Sequence, residues 1–114
     1  MKVPRRQIEE LTKMASDLDR KPQVDVALAQ FGRYAEDLKV YLLKYVEDPT
    51  LRLQIAAIPE LEYEAARTTL GSYFIKALSK RKARAEQNAI DQAREIASQF
   101  NVILLALLLG AEGD

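Results

Sequence analysis

Cysteine, histidine and tryptophan are all missing from this chain of 114 residues. Without thiols or imidazoles the protein can form neither a disulfide framework nor a Cys/His zinc site, and it lacks the side chain that usually carries protons near pH 7. The di-metal sites that helical bundles build from Glu-x-x-His motifs are excluded for the same reason. The absence of cysteine also fits a reducing compartment.

Glycine is scarce, with four residues, and the glycine motifs of common enzymes are missing. There is no Gly-x-Gly-x-x-Gly, no Gly-x-x-x-x-Gly-Lys-Ser/Thr and no Gly-x-Ser-x-Gly, so phosphate-binding loops and hydrolase elbows are not expected. Acidic pairs such as Glu9-Glu10 fall outside the apolar stripes, which favours solvated helix faces over metal ligands. We therefore predict that the protein is not an enzyme, with no catalytic residue, cofactor, metal or small-molecule substrate.

Net charge is lacking too, because 17 basic residues balance 17 acidic ones. No overall field draws the chain toward nucleic acid or an anionic membrane. Residues 1–10 contain basic residues but no apolar stretch, so we expect no secretory signal there. The apolar run at residues 102–109 is far shorter than the roughly 20 residues of a membrane span. The sequence predicts a cytoplasmic protein with no membrane partner.

What the chain does contain is enough apolar sequence for one core, with 48% hydrophobic and 30% charged residues. We predict a single domain over residues 1–114. Prolines stand only at positions 4, 22, 49 and 59. Since proline is well tolerated in the first turn of a helix, each of them can open a helical segment. No run of alternating β-branched residues supports strands.

Three shorter helices are predicted in the first half of the chain. Residues 4–19 carry apolar side chains at steps of three and four, and residues 22–46 continue this spacing over seven positions. Asp48 before Pro49 is typical of an N-cap followed by a first-turn proline, and it predicts a short helix. This helix should end at Ile58, because a residue before proline is pushed toward extended geometry.

A fourth helix is predicted to begin at Glu60, where acidic residues suit a helix N-terminus. Its apolar spacing lapses from Ser79 to Asn88 and resumes at Ile90. Because strong helix formers fill the gap, we favour one long, bent helix over two helices with a hinge near Gly71 or Ser79. The predicted fold is an all-α bundle of four to five helices with a long C-terminal helix.

The run Val-Ile-Leu-Leu-Ala-Leu-Leu-Leu at residues 102–109 is apolar on every face of a helix. A central core helix and a membrane anchor are two interpretations. We favour a third, in which another protein or a second subunit covers part of this surface, giving a homodimer or a complex with a protein partner. The function we predict is a non-catalytic helical protein-interaction module. The predicted contact residues are Phe100, Ile103, Leu104, Leu107 and Leu108.

A stretch without acidic residues provides the alternative function, a nucleic-acid-binding subunit. Its basic residues are Lys76, Lys80, Arg81, Lys82 and Arg84. On a helix, residues 76, 80 and 84 share one face and form a basic ridge able to contact phosphates. A plain solvated face and an acidic protein surface as partner explain the same pattern, so all three interpretations stay open.

Overall fold

A computed structural model describes residues 3–63 and 75–113, with side chains described at 3–63 and 83–110. These ranges contain four α-helices, a short 3₁₀ helix at Leu18–Arg20, and no strand. The helices are α1 (Arg5–Asp17), α2 (Val24–Tyr45), α3 (Pro49–Ala56) and α4 (Ile75–Gly113). The predicted all-α bundle with a long C-terminal helix is confirmed.

The first two helices form a hairpin whose bounds agree with the apolar spacing of the sequence. Ile8, Leu11 and Ala15 are buried on one face of α1, and Leu18 continues this face into the 3₁₀ helix. The buried side chains of α2 also follow steps of three and four: Leu28, Phe31, Ala35, Leu38 and Leu42. Most of the stability of such helices comes from this packed face rather than from intrinsic propensity.

The short helix α3 begins as predicted. The Asp48 carboxylate accepts a hydrogen bond from the Leu51 amide at 2.9 Å, and Pro49 is the first helical residue. Arg52 reaches back from α3 to the end of α2, where its guanidinium donates to the carbonyls of Leu43 and Val46. One arginine thus satisfies carbonyl groups that the end of α2 would otherwise leave to solvent.

Helix α4 is the longest element of the fold. Its 39 residues make a rod of about 58 Å at 1.5 Å per residue. The longest dimension of the protein is 63 Å. The helix is continuous through Ser79, so no hinge interrupts it there; the other predicted hinge, near Gly71, lies outside the described residues. The predicted start at Glu60 is wrong, because residues 60–63 are not helical.

Residues 58–63 instead form a non-helical segment, here called the strap, that lies between α2 and α4. Leu61 lies against Gly32 of α2. Hydrogen bonds to both helices hold the strap: Lys39 Nζ to Ile58 O (2.7 Å), Glu62 N to Gln92 Oε1 (2.8 Å), Gln92 Nε2 to Glu60 O (3.3 Å) and Tyr63 Oη to Asp25 Oδ1. Because its first residue contacts Lys39 and its last contacts Asp25, the strap runs antiparallel to α2.

The core is formed where α4 packs against α1, α2 and α3. Antiparallel packing on α1 follows from two contacts, since Arg94 reaches Ala15 whereas Asn101, further along α4, reaches Thr12. Among the described side chains, none that is buried is polar or charged. The buried residues of α4 are Ala89, Ile90, Ala93, Ile96, Ala97, Phe100, Ile103 and Leu104.

Candidate interaction surface

Two polar side chains of α4 fix the rotation of this helix about its own axis. Asn101 Nδ2 donates to Thr12 Oγ1 and to the Ala97 carbonyl, both at 2.8 Å. Arg94 donates to the carbonyls at the end of α1 and forms an ion pair with Asp19 at 3.4 Å. Both groups lie beside the buried stripe of α4. They therefore help to decide which side of the apolar run faces the bundle and which side faces solvent.

The bundle itself covers three of the five contact residues predicted from the sequence. Phe100 is fully buried, and Ile103 and Leu104 are 2% and 7% exposed. Leu107 and Leu108 are partly buried and pack against the same core. The choice of Phe100, Ile103 and Leu104 as surface residues is therefore corrected. They continue the buried stripe of α4, so the chain's own helices cover them.

The surface that α4 does leave uncovered consists of Val102, Leu105 and Leu109, which are 58%, 61% and 67% exposed. We call these three residues the exposed stripe. They are three and four positions apart, so they lie on one side of the helix. The other large apolar residues that are exposed in the described part of the chain, Val26, Val40, Tyr45 and Leu53, belong to α2 and α3.

The same side of α4 is polar before the exposed stripe begins. Asp91, Glu95 and Ser98 are exposed there, at helical spacing from Val102. No charged residue occurs from position 96 to position 111. The solvent-facing side of α4 therefore changes from polar to apolar between Ser98 and Val102. Extending the polar face forward along the helix is the sequence signal that finds the exposed stripe.

Helix α4 also meets a length and composition criterion for a membrane-crossing helix. The segment is Ala83–Gly110, 28 residues of which 33% is buried inside the protein. The core helix of a soluble protein meets the same criterion. The segment contains five charged residues: Arg84, Glu86, Asp91, Arg94 and Glu95. Each would have to be accommodated in a bilayer at a cost of about 3 kcal/mol near its centre.

The basic ridge predicted from the sequence lies in the first three turns of α4. Unbroken helix from Ile75 onward keeps positions 76, 80 and 84 in the same register. The Arg84 side chain is exposed. The side chains of Lys76, Lys80, Arg81 and Lys82 lie outside the described residues. No ion pair involves Arg84 within the described part of the chain.

Metal-binding chemistry was also sought across the fold. Over residues 3–63 and 83–110, the structure brings no three acidic side chains together in an arrangement able to hold a metal ion. Every buried side-chain nitrogen or oxygen in these ranges has a hydrogen-bond partner. The described residues thus contain no buried polar atom that points to a missing ligand.

Comparisons with known proteins leave the chain without a relative. No protein-family model matches it, and neither a curated protein nor a solved structure is similar to it at a significant level. The geometry of the fold is therefore the basis for a functional proposal.

Proposed function

We propose that this chain is a non-catalytic helical protein-interaction module whose contact surface is the exposed stripe of α4. The observation that carries the proposal is the exposure of three large apolar side chains, Val102, Leu105 and Leu109, on one side of a helix whose opposite side is buried. Contiguous exposed apolar side chains commonly mark contact sites, whereas isolated ones do not. The buried side holds the stripe in place, so little conformational entropy is lost on binding.

A second copy of the chain is the partner that we favour. The region around the exposed stripe carries no charge from residue 96 to residue 111, so two copies can meet there without repulsion between like charges. In a dimer with twofold symmetry the same patch faces itself, which an apolar stripe tolerates well. Partly buried Leu107 and Leu108 flank the stripe and extend the apolar contact.

The cytoplasm is the proposed location, and α4 is proposed as a core helix rather than a membrane span. Two observations support this choice. Phe100, Ile103 and Leu104 pack against the apolar faces of the other helices, and charged residues are spaced along the first half of Ala83–Gly110. Removing α4 into a bilayer would expose the core that it covers.

Light scattering on the purified chain tests the proposal. The unaltered chain is expected to have the mass of a dimer at micromolar concentration, and a Leu105→Glu, Leu109→Glu double variant that of a monomer, because four carboxylates would meet in the interface. Ser98→Glu is the matched control, since it adds a carboxylate on the polar part of the same face. A monomer for the unaltered chain, or a dimer for the double variant, would reject self-association through the exposed stripe.

A vesicle flotation assay distinguishes the membrane interpretation. The chain is expected to stay in the soluble fraction with neutral or anionic phospholipid vesicles. Flotation with the vesicles that is lost in the Leu105→Glu, Leu109→Glu variant would reassign the exposed stripe to lipid.

Nucleic-acid binding by the basic ridge is the second candidate function. The observations that favour it are the unbroken helix from Ile75 and the exposed Arg84 side chain without an ion pair in the described residues. Phosphate contacts need cations that are free of internal partners. This candidate involves the opposite end of α4 from the exposed stripe, so the two proposals can be tested separately.

A further inference from the structure

A cavity of about 240 Å³ lies between the N-terminal end of α1 and the second half of α2. Pro4 and Gln7 line it from the side of α1. The lining from α2 consists of Tyr34, Asp37, Leu38 and Tyr41. These four residues are three, four and seven positions after the first, so they form one face of the helix. The cavity is thus bounded by two phenol rings, a carboxylate and apolar side chains.

The charges around this cavity are mainly negative. The Asp37 side chain is exposed and makes no hydrogen bond or ion pair with any residue that the structure describes. Desolvation and the nearby negative charge of Glu10 raise the pKa of Tyr34, so its phenol is neutral at pH 7. Arg33 lies beyond Asp37 in a neighbouring concavity and forms no ion pair with it. A carboxylate without a counter-charge therefore stands beside two neutral aromatic rings.

We propose that this cavity binds a single organic cation, an alkylammonium or guanidinium group with its attached alkyl chain. Three features of the lining fit such a ligand. The Asp37 carboxylate supplies the counter-charge, and the Tyr34 and Tyr41 rings supply aromatic faces, which attract organic cations. Leu38 and Pro4 provide apolar surface for an alkyl chain. The cavity is below the usual 300–1,000 Å³ of drug-sized sites, which limits the ligand to one such group.

The same chemistry has two sources, a free small molecule and the side chain of an arginine or lysine from another protein. The site is separate from the exposed stripe of α4, so the inference does not depend on the proposed function. An incoming basic side chain would place a protein partner across α1 and α2, whereas a free cation would make the cavity a small-molecule site.

Titration with n-butylguanidinium, followed through the NMR signals of ring-labelled tyrosines, tests the proposal. A ligand of this size is expected to bind with a dissociation constant on the order of 1 mM, and the signals of Tyr34 and Tyr41 should move together. Neutral n-butylurea has nearly the same shape and is expected to bind at least tenfold more weakly. Equal binding of the two probes, or no shift at either tyrosine, would overturn the proposal.

Variants separate the roles of the charge and the rings. Asp37→Asn is expected to weaken binding about fivefold or more, whereas Glu95→Gln, which removes an exposed carboxylate on α4, should leave it unchanged. Tyr34→Leu is expected to weaken binding about threefold, and Tyr34→Phe, which keeps the ring, should not. Circular dichroism confirms that each variant is folded. Unchanged affinity in both Asp37→Asn and Tyr34→Leu would overturn the assignment.

Two peptides distinguish the sources of the cation. One is a hexapeptide with a single central arginine, and the other replaces that arginine with uncharged citrulline. Binding of the arginine peptide at least tenfold tighter than that of n-butylguanidinium, with loss in the citrulline peptide, would support a protein partner. Equal affinity of the arginine peptide and the small cation would support a free ligand. Stronger binding of the citrulline peptide would contradict cation recognition altogether.

Discussion

Gln92 of α4 and Glu62 of the strap are joined by a hydrogen bond of 2.8 Å from the Glu62 amide to the Gln92 side-chain oxygen. The nitrogen of the same side chain donates to the Glu60 carbonyl at 3.3 Å. One glutamine thus pairs with backbone groups on both sides of Leu61, much as a neighbouring strand would. This contact holds a segment without regular structure in the groove between α2 and α4.

Gln92→Ala is expected to loosen the strap and to lower the free energy of unfolding by about 1 kcal/mol, the usual net value of such hydrogen bonds. The measurement is urea unfolding together with hydrogen exchange of the Glu62 amide, which should become faster. Gln99→Ala removes a glutamine of α4 with no hydrogen bond to the described residues and serves as the control. Unchanged exchange at Glu62 would contradict the role assigned to Gln92.

Phe100→Ala is expected to lower the free energy of unfolding by about 3–5 kcal/mol, because a fully buried ring leaves a cavity in the core. Leu105→Ala should change it by less than about 0.5 kcal/mol in the monomer, since Leu105 is 61% exposed. Thermal unfolding at a concentration below that of dimerisation measures both. Similar losses at the two positions would mean that α4 is rotated differently about its axis.

A Leu105→Cys variant is expected to form disulfide-linked dimers under mild oxidation. The chain has no cysteine of its own, so the introduced thiol pairs only with its copy in another molecule, and it does so fast if the dimer brings the two within reach. Non-reducing gel electrophoresis over time gives the rate. Glu95→Cys, on the polar part of the same face, provides the rate of random collision; equal rates at positions 95 and 105 would argue against the proposed interface.

Replacing the basic ridge by glutamine tests the nucleic-acid alternative. The five substitutions are at Lys76, Lys80, Arg81, Lys82 and Arg84. If the ridge contacts phosphates, they should weaken binding to an oligonucleotide and reduce the slope of log Kd against log salt by about 4, at close to 0.8 per contact. A control variant removes five exposed basic residues elsewhere: Arg5, Arg6, Lys13, Arg20 and Lys21. Binding that is absent, or the same in both variants, would reject the alternative.

Stability at alkaline pH is expected to depend on Tyr63. Burial, the hydrogen bond to Asp25 and the charges of Asp25 and Glu86 raise the pKa of Tyr63 above its ordinary value of 10.0. The folded state holds this proton more tightly than the unfolded state does, so the stabilisation is complete below pH 10 and is lost as the pH rises further.

The measurement is urea unfolding of the unaltered chain and of Tyr63→Phe between pH 8 and pH 11. The phenylalanine variant should lose less stability over this interval, and the exposed Tyr45→Phe variant should follow the unaltered chain. A parallel decline of the unaltered chain and Tyr63→Phe would show that the Asp25 contact does not control the titration of this tyrosine.

Local signals in the sequence correctly predicted much of the fold. Apolar spacing located α1 and α2, and the pair Asp48-Pro49 located the start of α3, because each signal depends on neighbouring residues and backbone geometry alone. The strap was missed for the opposite reason. Glu60 and Glu62 suit a helix N-terminus locally, yet the hydrogen bonds that hold these residues extended come from Gln92, thirty positions away.

By itself the sequence determined that the chain is helical, that residues 102–109 are apolar on every face, and that zinc and thiol chemistry are absent. Only the tertiary structure decided that Phe100, Ile103 and Leu104 are buried and that Val102, Leu105 and Leu109 are exposed. A run without polar residues has no amphipathic pattern of its own. Its orientation is therefore set by the contacts of α4 with α1, through Arg94 and Asn101.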